Sequence, residues 1–179
     1  MLLNFGQPVN GVIQHAFVVD DLDASIAAFS GTVGAGPWFV IDRWMGEKAV
    51  YRGQPSEAAI RVAMGFSGHI LYELMQPLDD KPSVYKELLD TTGPGFHHFG
   101  QGSQDYDAEI ARYRAKGYEL AFEAHVAPGA GRVGYMDARK DIGAFIEVIE
   151  NDAAMEANFG RFYAAAVGWD GSDPVRPFF

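Results

Sequence analysis

The sequence predicts an α+β fold built as two tandem β-α-β-β-β modules, and three observations carry that prediction. Two apolar runs, Val12–Val19 and Phe96–Gly102, each stand directly before a helix-capping signal. Three further strand-like runs follow each helical stretch, in the same order both times. The composition is that of a globular chain: 179 residues, 48% hydrophobic and 21% charged, enough for one domain or two small modules sharing a core.

Val12–Val19 reads as a buried strand whose Ile13, His15, Phe17 and Val19 share one face under the two-residue period. Asp20-Asp21 then offers an N-cap, with Asp23 in the first turn favouring the helix dipole. A helix from Leu22 to about Phe29 presents Leu22, Ile26 and Phe29 on one side, and Gly31, Gly34, Gly36 and Pro37 end it. Trp38–Trp44 is the second strand, residues 46–57 are expected to be a polar loop, and Ala58–Phe66 and His69–Gln76 form a third and fourth strand around Ser67-Gly68. A short helix, Ser83–Leu89, lies in the link between modules. The second module repeats the order: Phe96–Gly102, a helix capped by Ser103 or Asp105 and running to Lys116, then Glu119–His125, Arg132–Asp137 and Gly143–Glu150. The expected layout is therefore a single domain over 1–179, with modules at 11–78 and 96–150, a linker at 79–95, and a tail from 151. That tail holds an amphipathic helix (Met155, Phe159, Phe162, Tyr163) and a Gly-, Pro- and aromatic-rich end expected to pack back on a module or a partner subunit.

Several function classes fall away on composition. Net charge is −10, from 24 acidic and 14 basic residues scattered without a basic patch, which disfavours nucleic acid and anionic lipid as partners. No apolar run is long enough to span a bilayer, and no leader is visible at the N-terminus, so a cytoplasmic location is expected. Cysteine is absent, so any metal must be held by His, Asp or Glu.

Two carboxylates break the apolar alternation of their strands. Glu73 shares a face with Leu71 and Met75, and Glu147 with Phe145 and Ile149. A buried carboxylate needs a cation, a metal or a proton. Each Glu lies on the last strand of its module, and His15 and His98 each lie on the first. The set His15, Glu73, His98 and Glu147 suits one divalent ion per chain, Zn²⁺, Mn²⁺, Fe²⁺, Co²⁺ or Ni²⁺, with positions open for substrate oxygens. Such an ion polarises a carbonyl and stabilises an enolate. His97 alternates away from His98 and is expected to support structure, as are His69 and His125.

Taken together, Glu73-Leu74-Met75-Gln76-Pro77-Leu78, Gly95-Phe96-His97-His98, Gly131-Arg132-Val133-Gly134-Tyr135-Met136 and Gly143-Ala144-Phe145-Ile146-Glu147 resemble the vicinal-oxygen-chelate superfamily of glyoxalases, bleomycin-resistance proteins and dioxygenases. The resemblance spans about residues 11–150 and is nearest the methylmalonyl-CoA epimerase branch. It implies a mixed sheet curled around a central cleft, a homodimer, and metal ligands at the same four positions. Epimerases of that branch typically carry Gln where Glu73 stands, whereas glyoxalase I can carry Glu. Their second catalytic Glu aligns with Arg61, with Glu57 nearby. The implied activity is that of a metal-dependent isomerase, epimerase or lyase on a small carbonyl substrate. Glu147 or Glu73 would take the proton alpha to the carbonyl, and Arg61 and Tyr135 would contact substrate. The alternatives are an extradiol-type Fe²⁺ dioxygenase and a non-catalytic, drug-sequestering binder.

Overall fold

The computed structural model describes residues 2–179; Met1 lies outside the described residues. In chain order the elements are β1 (Val12–Val18), α1 (Leu22–Val33), β2 (Trp38–Trp44), β3 (Glu47–Tyr51), β4 (Gln54–Pro55), β5 (Ile60–Ser67), β6 (Ile70–Pro77) and α2 (Val84–Thr92). Then come β7 (Gly95–Ser103), α3 (Tyr106–Ala115), β8 (Glu119–His125), β9 (Arg132–Asp137), α4 (Arg139–Ile142), β10 (Phe145–Glu150), α5 (Ala153–Ala166) and β11 (Val175–Pro177). All the strands join one curled, unclosed sheet in the order β11-β2-β5-β6-β1-β7-β10-β9-β8-β3-β4. The first β-α-β-β-β unit supplies β2-β5-β6-β1 and the second supplies β8-β9-β10-β7, so the first strands of the two units, β1 and β7, pair at the centre, antiparallel.

Helix starts follow the side-chain caps. Asp21 accepts from the Ala24 amide at 3.0 Å, Ser83 from Lys86 at 3.1 Å, Asp105 from Ala108 at 3.0 Å and Asp152 from Met155 at 2.6 Å. Each satisfies one of the amides left unpaired in a first helical turn. α1 runs on past Phe29 through Gly31 and stops at Gly34, whose φ of 67° closes the helix in the left-handed region.

Three apolar layers follow from this arrangement. On the convex face, Leu22 and Ile26 of α1 pack on Trp38, Ala63 and Leu74, while Tyr106, Ile110 and Tyr113 of α3 pack on Met136 and Val148. The concave face carries the main core, closed by Tyr85 of α2, Phe159 and Phe162 of α5, and Phe178 of the tail.

The segment expected as a loop at 46–57 instead holds β3 and β4. Tyr51 pairs with Gln54 across a two-residue turn, Arg52-Gly53, with φ of 44° and 77°, the geometry that suits a tight hairpin. β3 pairs with β8, whose residues are far off in sequence, so local periodicity could not register it. The last strand, β11, lies parallel to β2. Short strands thus cover the outer edges of both units, β11 on β2 and the β3–β4 hairpin on β8, which removes long unpaired edges.

Candidate metal centre

Four neighbouring strands at the middle of the sheet, β6-β1-β7-β10, each contribute one polar side chain to a cluster in the concave core: Glu73, Gln14, His98 and Glu147. All four are at most 5% exposed among apolar neighbours. Ligand atoms of Glu73, His98 and Glu147 lie within 4.8 Å of one another, a grouping that could hold a metal ion. The Gln14 Nε2 donates to Glu73 Oε2 at 2.9 Å and to Glu147 Oε2 at 3.0 Å, and also lies 3.1 Å from His98 Nε2. Room for Gln14 comes from Gly100 across the ladder, where an added Cβ would sit 2.7 Å from the Gln14 Cβ.

Two β-bulges aim these side chains. Val12 pairs with Gln101 and Gln14 with Gly100, which leaves Ile13 as an extra residue in β1; Ala16 pairs with His98 and Phe17 with Phe96, which leaves His97 extra in β7. A bulge inserts one unpaired residue and resets the alternation. After Ile13, the inward side chains of β1 are therefore Gln14, Ala16 and Val18. His15 points the other way, edge-on to Tyr72, Phe96 and Phe99 at centroid distances of 5.6 to 6.3 Å. The structure does not bring His15 to the cluster, and the expectation of His15 beside the two glutamates is corrected to Gln14.

The second bulge has the opposite result for His97, which was expected on the face away from His98. Both imidazoles are buried, and their Nδ1 atoms are 2.9 Å apart. The His97 Nε2 is 3.1 Å from the Val84 carbonyl. A carbonyl only accepts, so His97 Nε2 carries the hydrogen there, and burial holds His97 well below the ordinary imidazole range and hence neutral. Its Nδ1 is then an acceptor and His98 Nδ1 the donor. This chain fixes His98 with Nε2 directed at Glu147 Oε2, 3.1 Å away, and Glu73 Oε2, 3.3 Å away.

The electrostatics ask for positive charge at that point. Burial pushes the Glu73 carboxyl up, opposed by its bond to His98 and reinforced by the Glu147 charge. Burial alone would lower His98, but Glu147 first and then Glu73 overcome it and raise the imidazole to about 9. The two hydrogens of the Gln14 amide go to the two carboxylates, while its Oε1 is buried with no partner. Nitrogen and oxygen of an amide exchange by a half-turn of the group, which would add Oε1 to the ring of donors. Two carboxylates, an imidazole nitrogen and an amide oxygen form a donor set that fits a divalent cation.

The remaining expected site residues separate. Tyr135, opposite Glu147 in the ladder, is buried, with its ring 4.8 Å from His98, and it lines the cavity that opens beside the two glutamates. Arg61 does not reach that cavity. It faces the helix-covered side, bonded to Asp23 at 3.0 Å and Asp42 at 3.1 Å, because its neighbours Ile60 and Val62 take the inward positions. Glu57 is on the surface with Lys81, and His69 and His125 bond the carbonyls of Phe5 and Ala130. Gln14 is the one member of the cluster absent from the set expected from the sequence. The signal was present, since the inward residue lies seven positions before the capping aspartate in both units, Gln14 before Asp21 and His98 before Asp105.

Two adjoining cavities of about 140 and 50 Å³ lie over the cluster, sharing Met64, Val126, Val133, Glu147 and Phe178. Their walls are largely apolar, with Trp44, Ile60, Val62 and Met155 among them.

Comparison with known proteins gives a consistent result. The profile described as glyoxalase/bleomycin resistance protein/dioxygenase superfamily matches residues 13–135. Among solved structures, a methylmalonyl-CoA epimerase from Mycobacterium tuberculosis is similar at 24% identity and a TM-score of 0.59, covering 83% of this chain and 93% of its own. A Streptomyces coelicolor methylmalonyl-CoA epimerase in complex with 2-nitronate-propionyl-CoA is similar at 22% identity and 0.59, covering 82% of this chain and 100% of its own. A hypothetical protein from Bacillus halodurans C-125 is similar at 17% and 0.57, covering 79% and 94%. At these identities the likeness is one of fold. No curated protein matches the chain.

Proposed function

Because the chain belongs to the glyoxalase/bleomycin resistance protein/dioxygenase superfamily, we propose that it is a metal-dependent isomerase, epimerase or lyase acting at the carbon alpha to a carbonyl. Glu73, His98 and Glu147 hold one divalent ion, with Gln14 Oε1 as the fourth protein ligand after its amide turns. When bound, that ion supplies Lewis-acid polarisation of substrate oxygens. The observation that carries the reading is the buried cluster itself: two carboxylates and an imidazole nitrogen converge, with an orphaned amide oxygen beside them.

The protein's own groups divide the work. Glu147 and Glu73 each border the cavity, so either carboxylate takes or returns the proton at the alpha carbon. His97 keeps the His98 ring in place through the Val84 carbonyl, an arrangement that raises ligand basicity. Tyr135 stays a neutral hydroxyl, held well above its ordinary range by burial and then by Glu147, and so offers a substrate oxygen a donor. The apolar walls exclude water from the carbanion. For the homodimer, the half-buried aromatic face of His15, Phe17, Tyr72, Phe96 and Phe99 on the convex side is the contact we propose.

Metal content of protein purified without chelators tests the first step, with about one ion per chain expected and loss in His98→Ala. Solvent deuterium entering acetoin and related ketones alpha to the carbonyl tests the second. Dioxygen uptake with a catechol would instead indicate the dioxygenase chemistry of other superfamily members. Metal-free protein with no exchange would refute the enzyme reading.

A further inference from the structure

The cleft also says what kind of molecule enters it. None of the residues lining the two cavities over the cluster is Lys or Arg. Its charged members are acidic, Glu73, Glu147, Glu150 and Asp152. Five of the chain's guanidinium groups are held in carboxylate ion pairs, one of them on the lining Glu150. Arg52 bridges Glu87, Glu119 and Asp137; Arg61 bridges Asp23 and Asp42; Arg132 bridges Asp107 and Glu150. Arg139 bridges Glu87 and Asp137, and Arg112 binds Glu109. A carboxylate or phosphate on the part of a substrate away from the metal would be desolvated against acidic and apolar walls with no cationic side chain facing it, which is strongly unfavourable.

The far wall is made by the C-terminal tail. Phe178 borders both cavities and Phe179 the larger one. The tail is strapped to the edge strand: the Trp38 amide donates to the Pro174 carbonyl at 2.8 Å and the Phe178 amide to Val40 at 3.1 Å. Arg161 donates to the Phe178 carbonyl while lying over the rings of Phe39 and Phe162. The Phe178 ring stands edge-on to Phe162 at 4.9 Å.

We infer that the substrate is an uncharged, compact carbonyl compound with an apolar tail, and that Phe178 sets the length of tail accepted. This inference rests on the proposed metal-centred reading for the chelating end and on the cavity walls alone for the rest. It makes an acyl-CoA thioester or a glutathione adduct a poor ligand.

Titration calorimetry of Mn²⁺-loaded protein tests it with three hydroxamates: benzohydroxamic acid, its 4-carboxy derivative and its 4-phenyl derivative, with methylmalonyl-CoA as a fourth probe. Benzohydroxamic acid should bind at least about tenfold more tightly than the carboxylated probe and methylmalonyl-CoA. The 4-phenyl probe should bind poorly to the native chain and gain about tenfold in Phe178→Ala. Equal or tighter binding of the carboxylated probe or of methylmalonyl-CoA overturns the inference, and so does an unchanged short-to-long preference in Phe178→Ala. Should the chain take up no Mn²⁺, the metal reading fails by itself. The preference of the walls is then read on the metal-free chain from Met64 methyl shifts with acetophenone against 4-acetylbenzoate. Preference for the neutral ketone supports it, and none refutes it.

Discussion

Replacing Glu73 by Gln separates a metal site from a structural polar cluster, because the two give opposite signs. If Glu73 and Glu147 are both ionised, their oxygens, within 4.8 Å, repel by roughly 3.5 kcal/mol at an effective dielectric of 20. The protein already resists this by raising the Glu73 carboxyl, so a neutral amide of the same shape resembles the form that burial favours. The metal-free variant should therefore melt no lower than the native chain. With metal the order reverses. At a free-metal concentration one hundred times the native Kd, binding adds about 2.7 kcal/mol. For a chain of this size that is roughly 5–11 °C in Tm. A hundredfold loss of affinity in the variant leaves about 0.4 kcal/mol, near 1 °C. Scanning calorimetry of both proteins, chelated and with Mn²⁺, reads all four values. A Glu73→Gln chain that keeps the full metal-induced shift refutes the ligand assignment. One that unfolds without metal assigns Glu73 to structure.

Three further outcomes follow from the same geometry. His97→Phe keeps a ring against Tyr85 and Phe145 but removes both hydrogen bonds, so metal affinity measured by chelator competition should fall about 10- to 100-fold; unchanged affinity would remove His97 from any positioning role. His15→Ala should leave metal content untouched, since the imidazole faces away from the cluster; loss of metal there would restore His15 as the ligand. Asp137 is held at about 2 by its bond to Arg139, against burial and with help from Arg52, and its side chain is only 18% exposed. A lowered carboxyl stabilises the fold above its unfolded pKa near 3.8 and loses that stabilisation as pH falls through about 2. Urea unfolding should show Asp137→Asn less stable than the native chain by roughly 2 kcal/mol at pH 7, with the gap narrowing from pH 4 downward; a gap independent of pH would mean packing, not charge, is lost.

Much of this fold is legible in the sequence because most strands keep a regular period and most helices start at a side-chain cap. Trp38–Trp44, Glu119–His125 and Arg132–Asp137 coincide with the observed β2, β8 and β9. What is not legible depends on pairing partners distant in the chain. β3 has too few residues to declare itself and is a strand because β8 lies beside it. Register is the harder case. The two-residue period assigns faces only while the ladder is regular, and a single extra residue moves every later side chain to the other face. Reading β1 as regular from Ile13 puts His15 inside and Gln14 outside; the bulge at Ile13 exchanges them.

The same device explains why adjacent histidines both face the concave core. In a regular strand His97 and His98 must point to opposite faces. The bulge at His97 turns both inward, and the spacing of their outward neighbours records it: Phe96 and Phe99, three positions apart, come together on the convex face at 4.7 Å. In the first unit the inward position is therefore shifted by one residue, from His15 to Gln14. First strands supply Gln14 and His98, and last strands supply Glu73 and Glu147. The unit carrying Gln14 has no second imidazole behind its inward residue, so only His98 has its tautomer fixed by a neighbour. A pseudo-symmetric sheet thus yields an asymmetric centre, in which one half brings an amide and a carboxylate and the other brings the oriented imidazole and the second carboxylate.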